Sequence, residues 1–157
     1  MKTNTLNAIL LAGLLIFSSC SKSEDDGDET FDYGKASFML NGNKIEDTKP
    51  YIGIFVDNGT NDNRLTITGA DSSKTEVEWK SNGPITKTLD SFYDANYETA
   101  AGKSYYATSG ELVITDYHTF DGIVYATGTF HFTAMASAGI DSVVITSGVI
   151  TAATNHF

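Results

Sequence analysis

A histidine with two nearby aspartates is the best candidate for catalysis in this sequence. His118 stands between Asp116 and Asp121 in a polar segment that we predict to be a loop. With a serine from elsewhere, this set would form a Ser-His-Asp triad, in which the histidine takes the serine proton. The sequence has no G-x-S-x-G turn to present such a serine. We therefore expect an ordinary polar loop and keep a small hydrolase that uses His118 as an alternative.

An oxygen-rich segment is the best candidate for metal binding. Residues 57–63 read DNGTNDN, and the calcium candidates among them are Asp57, Asn61 and Asp62. An EF-hand loop ends on a Glu at its twelfth position, where this sequence has Thr68. Asn, Asp and Gly also form hairpin loops without any ion. We predict a hairpin loop here, and no metal or other cofactor for the protein.

Tyrosines are concentrated in one part of the chain. A tyrosine ring has a flat apolar face and a polar tip, which suits the stacking of sugars or peptides. Tyrosine is equally a good strand residue, so the cluster can also be part of a β framework. Both interpretations stay open for the five candidate ligand-binding residues, which are Tyr93, Tyr97, Tyr105, Tyr106 and Tyr117.

The N-terminal segment has the features of an export signal. Lys2 precedes an apolar run at residues 8–17 (AILLAGLLIF), which two serines separate from Cys20, the chain's only cysteine. A membrane-spanning helix needs about 20 apolar residues, so this run is too short for one. We predict that residues 1–19 are a signal peptide. A lone cysteine also leaves no disulfide within the chain.

The residues around Cys20 resemble a lipobox, the motif read by the bacterial lipoprotein signal peptidase. Residues 17–20 read FSSC, with small residues directly before the cysteine. The resemblance implies cleavage before Cys20, a diacylglyceryl thioether on its sulfur and an acylated amino terminus. Each buried CH₂ contributes about 0.8 kcal/mol, so two or three acyl chains anchor a protein firmly. The membrane is thus an expected partner, through the lipid on Cys20.

An acidic stretch follows the cysteine directly. Residues 21–29 read SKSEDDGDE, and such charge runs remain solvated rather than folded. Their position resembles the export signal of Bacteroidota lipoproteins that are displayed at the cell surface. The resemblance implies the outer membrane, facing the cell surface rather than the periplasm. We predict a lipidated flexible tether over residues 20–35.

Composition excludes one class of partner. The formal net charge is −10, and it becomes −11 once Lys2 is lost with the signal peptide. Nucleic-acid binding needs clustered cations, which an acidic domain with few Lys and Arg lacks. We expect no nucleic-acid partner. Residues 36–157 are enough for one domain with a real core.

Residues 36–157 have the composition of a β domain. Val, Ile, Thr, Tyr and Phe dominate, Gly, Asn and Asp recur about every ten residues, and Pro50 and Pro84 stand where strands could begin. Asn41-Gly42 suits a two-residue hairpin turn with positive φ at both positions. Residues 90–109 are the least strand-like, with a single helical turn expected near 93–100. We predict an antiparallel β-sandwich or partly closed barrel of eight or nine strands.

The clearest strand covers residues 122–135. Small and apolar side chains alternate there with Thr, Tyr and His, which predicts one face in a core and one toward water. Gly128 in mid-strand predicts a bulge or a close backbone approach. The residues predicted to face the core are Val124, Ala126, Phe130, Phe132 and Ala134.

Three strand segments resemble a known family in their order. They are GELVIT at 110–115, GTFHFTA at 128–134 and VITSG at 144–148. This order resembles the DUF6252 family of uncharacterised Bacteroidota lipoproteins. The resemblance implies a β fold and the same compartment, and no activity or site residue follows from it.

Asp141-Ser142-Val143 is similar to the loose O-glycosylation pattern of Bacteroidota proteins, which makes Ser142 a candidate for modification. For the whole protein we predict a membrane-anchored, non-catalytic binding or accessory module at the outer membrane. The alternatives are a glycan-binding surface lipoprotein using residues 93–117 and the small hydrolase. A glycan or a protein at the cell surface would be its partner.

Overall fold

The computed structural model describes residues 34–153, and all regular structure in that range is β. Within it there is no helix, so none that could cross a membrane. Cys20, the predicted signal peptide and most of the predicted tether lie outside these residues. The ten strands are β1 (Gly34–Leu40), β2 (Asn43–Asp47), β3 (Tyr51–Asp57), β4 (Thr60–Thr68), β5 (Lys74–Lys80), β6 (Ile85–Thr88), β7 (Ala95–Glu98), β8 (Ser104–Phe120), β9 (Ile123–Ala136) and β10 (Ser142–Ala153).

The ten strands form one curled sheet. Its order is β2-β1-β10-β3-β4-β5-β7-β8-β6, and β9 pairs with both β10 and β8. The strand pairs are antiparallel except where Ala153 of β10 meets Tyr51 of β3 in a single parallel pair. That pair closes the sheet on itself only partly. The predicted all-β antiparallel class is confirmed, and of its two forms the structure has the partly closed barrel.

Pronounced bends allow one sheet to curl this far. The register of β8 shifts between Ala107 and Ser109 and again between Ile114 and Asp116. Such bulges bend a strand and increase its twist. Opposite the second bulge, a Cβ on Gly128 would lie 2.2 Å from the carbonyl oxygen of Val113. The predicted close backbone approach at Gly128 is confirmed.

Three hairpins share one turn chemistry. Asn41-Gly42, Asn58-Gly59 and Asp121-Gly122 each have positive φ at both residues, with values from 48° to 87°. This is the conformation that a two-residue turn between twisted strands requires. The prediction at Asn41-Gly42 is confirmed.

The prediction of loops at residues 57–63 and 116–121 is wrong. β4 begins at Thr60 and β8 continues to Phe120, so each connection is only two residues long. Asn and Asp are poor strand residues by themselves, but pairing along a long antiparallel ladder overrides that preference.

The helical turn predicted near 93–100 is also wrong. Residues 95–98 form β7, which pairs with β5 on one side and β8 on the other. This short strand brings the count within residues 34–153 to ten instead of eight or nine.

The core lies on the concave side of the sheet. The alternation predicted for residues 122–135 is confirmed, since all five inward residues are buried. On β5, Thr75, Val77 and Trp79 are fully buried while their neighbours face outward. Apolar burial on this face stabilises the fold by roughly 25 cal/mol per Å². The largest fully buried side chains are Trp79, Phe38, Phe130, Phe132, Ile52, Leu65, Ile67, Leu89, Leu112, Ile114, Ile145 and Ile150.

Candidate functional site

The wall of the barrel has a seam between β5 and β6. The short strands β7 and β6 share one edge of β8, with β7 opposite residues 104–106 and β6 opposite residues 111–114. β7 also pairs with Lys74–Val77 of β5. No ladder joins β6 to β5 among the described residues. The second half of β5 therefore faces β6 across a gap.

A groove of about 540 Å³ lies along this seam. Trp79 and Ile85 form its apolar part, and the exposed ring of Tyr93 stands at its side. The charged residues that line it are Asp62, Glu78, Lys80, Lys87 and Asp94. An apolar base with a few convergent polar groups is the usual make-up of a ligand site.

Lys87 bridges the seam. Its ammonium group contacts the Oδ1 atom of Asp94 at 2.6 Å and donates a hydrogen bond of 2.9 Å to the carbonyl oxygen of Glu78. It occupies an inward position of β6, between Ile85 and Leu89. An inward-pointing charge also protects an edge strand from pairing with another chain. The side chain of Lys87 therefore links β6 to β5, two strands that no described backbone ladder joins.

Asp94 is held by several donors at once. Its carboxylate accepts hydrogen bonds from Lys87 and from the Ser91 hydroxyl, the latter at 2.6 Å. Burial alone would raise the pKa of Asp94, but these hydrogen bonds and the charge of Lys87 outweigh it and lower the pKa. Its backbone carbonyl accepts from the Glu78 amide at 2.8 Å. Asp94 is thus a fixed, ionised acceptor beside the groove.

The other charges of the groove are also paired. Arg64 contacts Glu78 at 2.7 Å, and Lys80 contacts Asp62 at 3.4 Å. Each charged residue that lines the groove thus has a partner of opposite sign. The groove offers oriented donors and acceptors with little unbalanced charge.

An exposed aromatic cluster adjoins the groove. Tyr93 is 74% exposed, and its ring meets Phe92 edge-on with 4.5 Å between ring centroids. Phe92 in turn contacts Tyr106 in the same manner at 4.9 Å. Edge-to-face contacts of this kind fix ring orientation. The face of Tyr93 is therefore a supported platform at the surface.

The five predicted tyrosines do not form one surface. Tyr97 and Tyr105 are buried, with ring centroids 6.0 Å apart. Tyr117 is also buried, at the other end of the long strand β8. These three side chains belong to the core, because their strand positions alternate into the concave face. Only Tyr93 and Tyr106 remain where a ligand could reach them.

Comparison with known proteins identifies the family. A family model described as "Domain of unknown function (DUF6252)" matches residues 40–154, which is most of the chain. The chain belongs to the DUF6252 family. No curated protein and no solved structure matches it.

The DUF6252 domain places His118 on a strand. His118 is exposed on the outer face of β8, and its ring stacks on Tyr125 with 5.2 Å between centroids. Its Nδ1 atom lies 3.0 Å from the Oδ2 atom of Asp116, while Asp121 lies in the turn beyond β8. Among residues 34–153, the hydrogen-bond partner of His118 is this aspartate and not a serine.

The predicted calcium residues are separated in the DUF6252 domain. Asn61 and Asp62 are neighbours on β4 and point to opposite faces, Asn61 toward Tyr117 and Asp62 toward Lys80. Asp57 ends β3 opposite Thr60. The oxygen-rich loop is not formed because these residues pair as strands. Within the described range, no three His, Cys, Asp or Glu side chains are grouped to hold a metal ion.

Ser142 begins β10 and is exposed. Its neighbour Asp141 accepts a hydrogen bond of 2.8 Å from the Tyr105 hydroxyl and forms an ion pair with Lys103. These donors lower the pKa of Asp141, the Lys103 hydrogen bond contributing most. Modification of Ser142 stays a prediction, as does lipidation of Cys20.

The sequence predictions included Tyr93 of the groove but missed Lys87 and Asp94. Lys87 and Asp94 come from a segment in which no motif stands out. One signal was present: Lys87 interrupts an otherwise apolar inward face between Ile85 and Leu89. A charged residue at an inward strand position indicates an edge or a seam.

Proposed function

We propose that this DUF6252 chain is a lipid-anchored, non-catalytic binding module of the outer membrane that is displayed at the cell surface. The proposal for its location is supported by the apolar run at 8–17, the cysteine that follows it and the acidic residues 21–29. Lipidation of Cys20 would anchor the domain without any membrane-spanning segment.

The groove beside Tyr93 is the observation that carries the binding role, and its chemistry favours a glycan. A sugar ring presents an apolar face that stacks on an exposed aromatic ring such as Tyr93. Its hydroxyl groups need both donors and acceptors, and these are supplied by the paired side chains of Asp94, Lys87 and Glu78. Because the charges are balanced, the groove suits an uncharged ligand better than an ion.

The Asp94 carboxylate of the groove is unsuited to glycoside hydrolysis. That reaction needs one carboxylic acid whose raised pKa keeps it protonated until it donates to the leaving group. Burial raises the pKa of Asp94, but its hydrogen bonds to Lys87 and Ser91 lower the pKa overall, so Asp94 does not serve as that acid. The groove is therefore equipped to hold a sugar rather than to cleave one.

Binding to immobilised neutral polysaccharides tests the glycan proposal. We expect Tyr93→Ala to weaken binding about 2–12-fold, which corresponds to the 0.5–1.5 kcal/mol of an aromatic contact. Tyr93→Phe should retain binding because it keeps the ring. Phe120→Ala is the matched control, since Phe120 is an equally exposed aromatic away from the groove. Equal losses of glycan binding in Tyr93→Ala and Phe120→Ala, or no binding to any glycan, would contradict the glycan proposal. A protein would then be the remaining candidate ligand.

Location is tested in whole cells. We expect the wild-type chain to incorporate labelled palmitate and to be removed by external protease. Cys20→Ser should lose the label. Resistance of the labelled protein to external protease would instead place the domain on the periplasmic face.

A second candidate function rests on one contact. The 3.0 Å pair of His118 and Asp116 is the arrangement that a general base requires. If the chain hydrolyses an ester or amide substrate and His118→Ala abolishes that activity, the non-catalytic proposal is wrong. We expect no activity that depends on His118.

A further inference from the structure

Exposed apolar side chains lie at one end of the barrel. The β3–β4 and β8–β9 turns are both at this end, since the Asn61 amide near the start of β4 donates to the Tyr117 hydroxyl near the end of β8 at 2.8 Å. Phe55 and Val56 precede the first turn and are 64% and 71% exposed. Phe120 precedes the second turn and is 70% exposed. Exposed apolar side chains that share one end of a domain are candidates for a contact surface.

Strand β1 begins at the same end. Gly34, the first residue of β1, lines a small hollow together with His118 and Tyr125 of the β8–β9 hairpin. Thirteen residues separate Cys20 from Gly34 in the sequence. At about 3.3–3.6 Å per residue, this length reaches at most about 50 Å. A lipid on Cys20 would therefore hold Gly34, and with it this end of the barrel, within about 50 Å of a bilayer.

We propose that this end of the barrel docks on the bilayer that holds the Cys20 lipid, with Phe55, Val56 and Phe120 inserted at the level of the headgroups. The inference rests on the proposed lipidation of Cys20. Tethering makes the second contact effectively intramolecular. Three side chains, too few to hold a free protein on a membrane, are then enough to orient an anchored one.

The charge of the two turns indicates how the contact is made. Residues 55–60 and 119–123 contain no Lys or Arg, and each turn has one Asp. Attraction to anionic lipid is therefore absent from the turns, and the contact depends on apolar burial with aromatic side chains at the interface. Docking should occur on zwitterionic lipid and should change little with added salt.

Depth-dependent fluorescence quenching tests the inference. The full lipidated chain is reconstituted in phosphatidylcholine vesicles that contain a spin-labelled lipid. Because the native cysteine carries the lipid, an environment-sensitive dye reacts with a single introduced cysteine. Thr60→Cys reports on the docking end, and Ile140→Cys, in the connection between β9 and β10 at the opposite end, is the control. We expect a blue shift and quenching at position 60 and neither at position 140.

Two further measurements complete the test. In the Thr60→Cys background, replacing both Phe55 and Phe120 by serine should abolish the shift and the quenching. Equal signals at positions 60 and 140, or a signal that survives this double replacement, would overturn the docking. Flotation with the vesicles examines the anchor separately. If the protein floats with the vesicles but positions 60 and 140 give equal signals, docking is wrong and anchoring is not. If the protein does not float, both docking and anchoring are wrong.

Discussion

The Tyr117 hydroxyl donates a hydrogen bond of 2.9 Å to the side-chain oxygen of Asn63, across the interior of the barrel. These residues lie on β8 and β4, which are not neighbours in the sheet. The Asn63 amide nitrogen donates to the carbonyl oxygens of Trp79 at 3.2 Å and Ser81 at 2.9 Å. One fully buried asparagine thus joins three strands and tolerates its burial because its polar atoms have partners.

Removing the Tyr117 hydroxyl should destabilise the protein. Tyr117→Phe leaves the Asn63 side-chain oxygen buried without that donor, which costs about 1–3 kcal/mol of unfolding free energy. Urea unfolding of the wild type and the variant measures the difference. Tyr93→Phe, which removes a hydroxyl from an exposed ring, is the control and should stay within about 0.5 kcal/mol of the wild type. A similar stability for both variants would contradict the importance of the Asn63 contact.

Replacing a buried hydroxyl on β5 should have the opposite effect. The Thr75 hydroxyl is fully buried and has no hydrogen-bond partner among the described residues. Thr75→Val keeps the shape and removes the unpaired group, so we expect a gain of up to about 1 kcal/mol. Thr68→Val, at an exposed strand position, corrects for the general strand preference of valine. A clear loss of stability in Thr75→Val relative to this control would show that the hydroxyl has a partner.

A side chain at position 128 should disturb the β8–β9 ladder. The Cβ atom of Gly128→Ala would meet the Val113 carbonyl oxygen at 2.2 Å, so the backbone has to shift. We expect a loss of about 1–3 kcal/mol, the usual cost of overpacking. Gly83→Ala is the matched control, because nothing lies within 4 Å of its Cβ. Thermal unfolding of both variants provides the comparison. If Gly128→Ala is as stable as the wild type, β8 and β9 are further apart at this position than the structure shows.

Acid should weaken the seam through Asp94. Because its pKa in the folded protein is below the ordinary value of 3.8, its contribution to stability is complete above that value. The contribution is lost as the pH falls through the folded pKa, since the unfolded chain takes up the proton first. Asp94→Asn should lower stability at neutral pH by about 1–3 kcal/mol, because it weakens the contacts of the half-buried Lys87. It should also flatten the decline in stability as the pH falls below about 5.

The control for this pH dependence is Asp90→Asn, which removes a neighbouring exposed carboxylate. Urea unfolding midpoints measured across the acid range should decline in this variant as they do in the wild type. If the unfolding midpoint of Asp94→Asn falls with pH as steeply as that of Asp90→Asn, the Lys87–Asp94 pair does not set the acid sensitivity of the protein.

Several parts of the fold were predictable because they depend on local patterns. Alternation at 122–135 assigned the buried and exposed faces of β9, and Asn41-Gly42 predicted its turn. A side chain's face in a strand follows from a period of two, whatever the partner strand is. The order of the strand segments likewise indicated the DUF6252 family.

Predictions were wrong where they relied on the residue types of a segment, because the pairing of that segment with other strands decides its structure. Residues 57–63 and 116–121 have the residue types of loops, yet most of them continue β4 and β8. The tyrosine cluster was close in sequence but is divided between core and surface. Whether such residues form a loop or a strand depends on the ladder beside them, and the chain segment does not contain that information.

The sequence by itself determined the β class, the inward faces of the clearest strands and one tight turn, because each of these follows from neighbours along the chain. Only the tertiary structure decided the curling into a partly closed barrel, the seam between β5 and β6 and the contact of Tyr117 with Asn63. These features depend on pairing between segments far apart in the chain. The groove arises because β6 and β7 share one edge of β8 and only β7 also reaches β5.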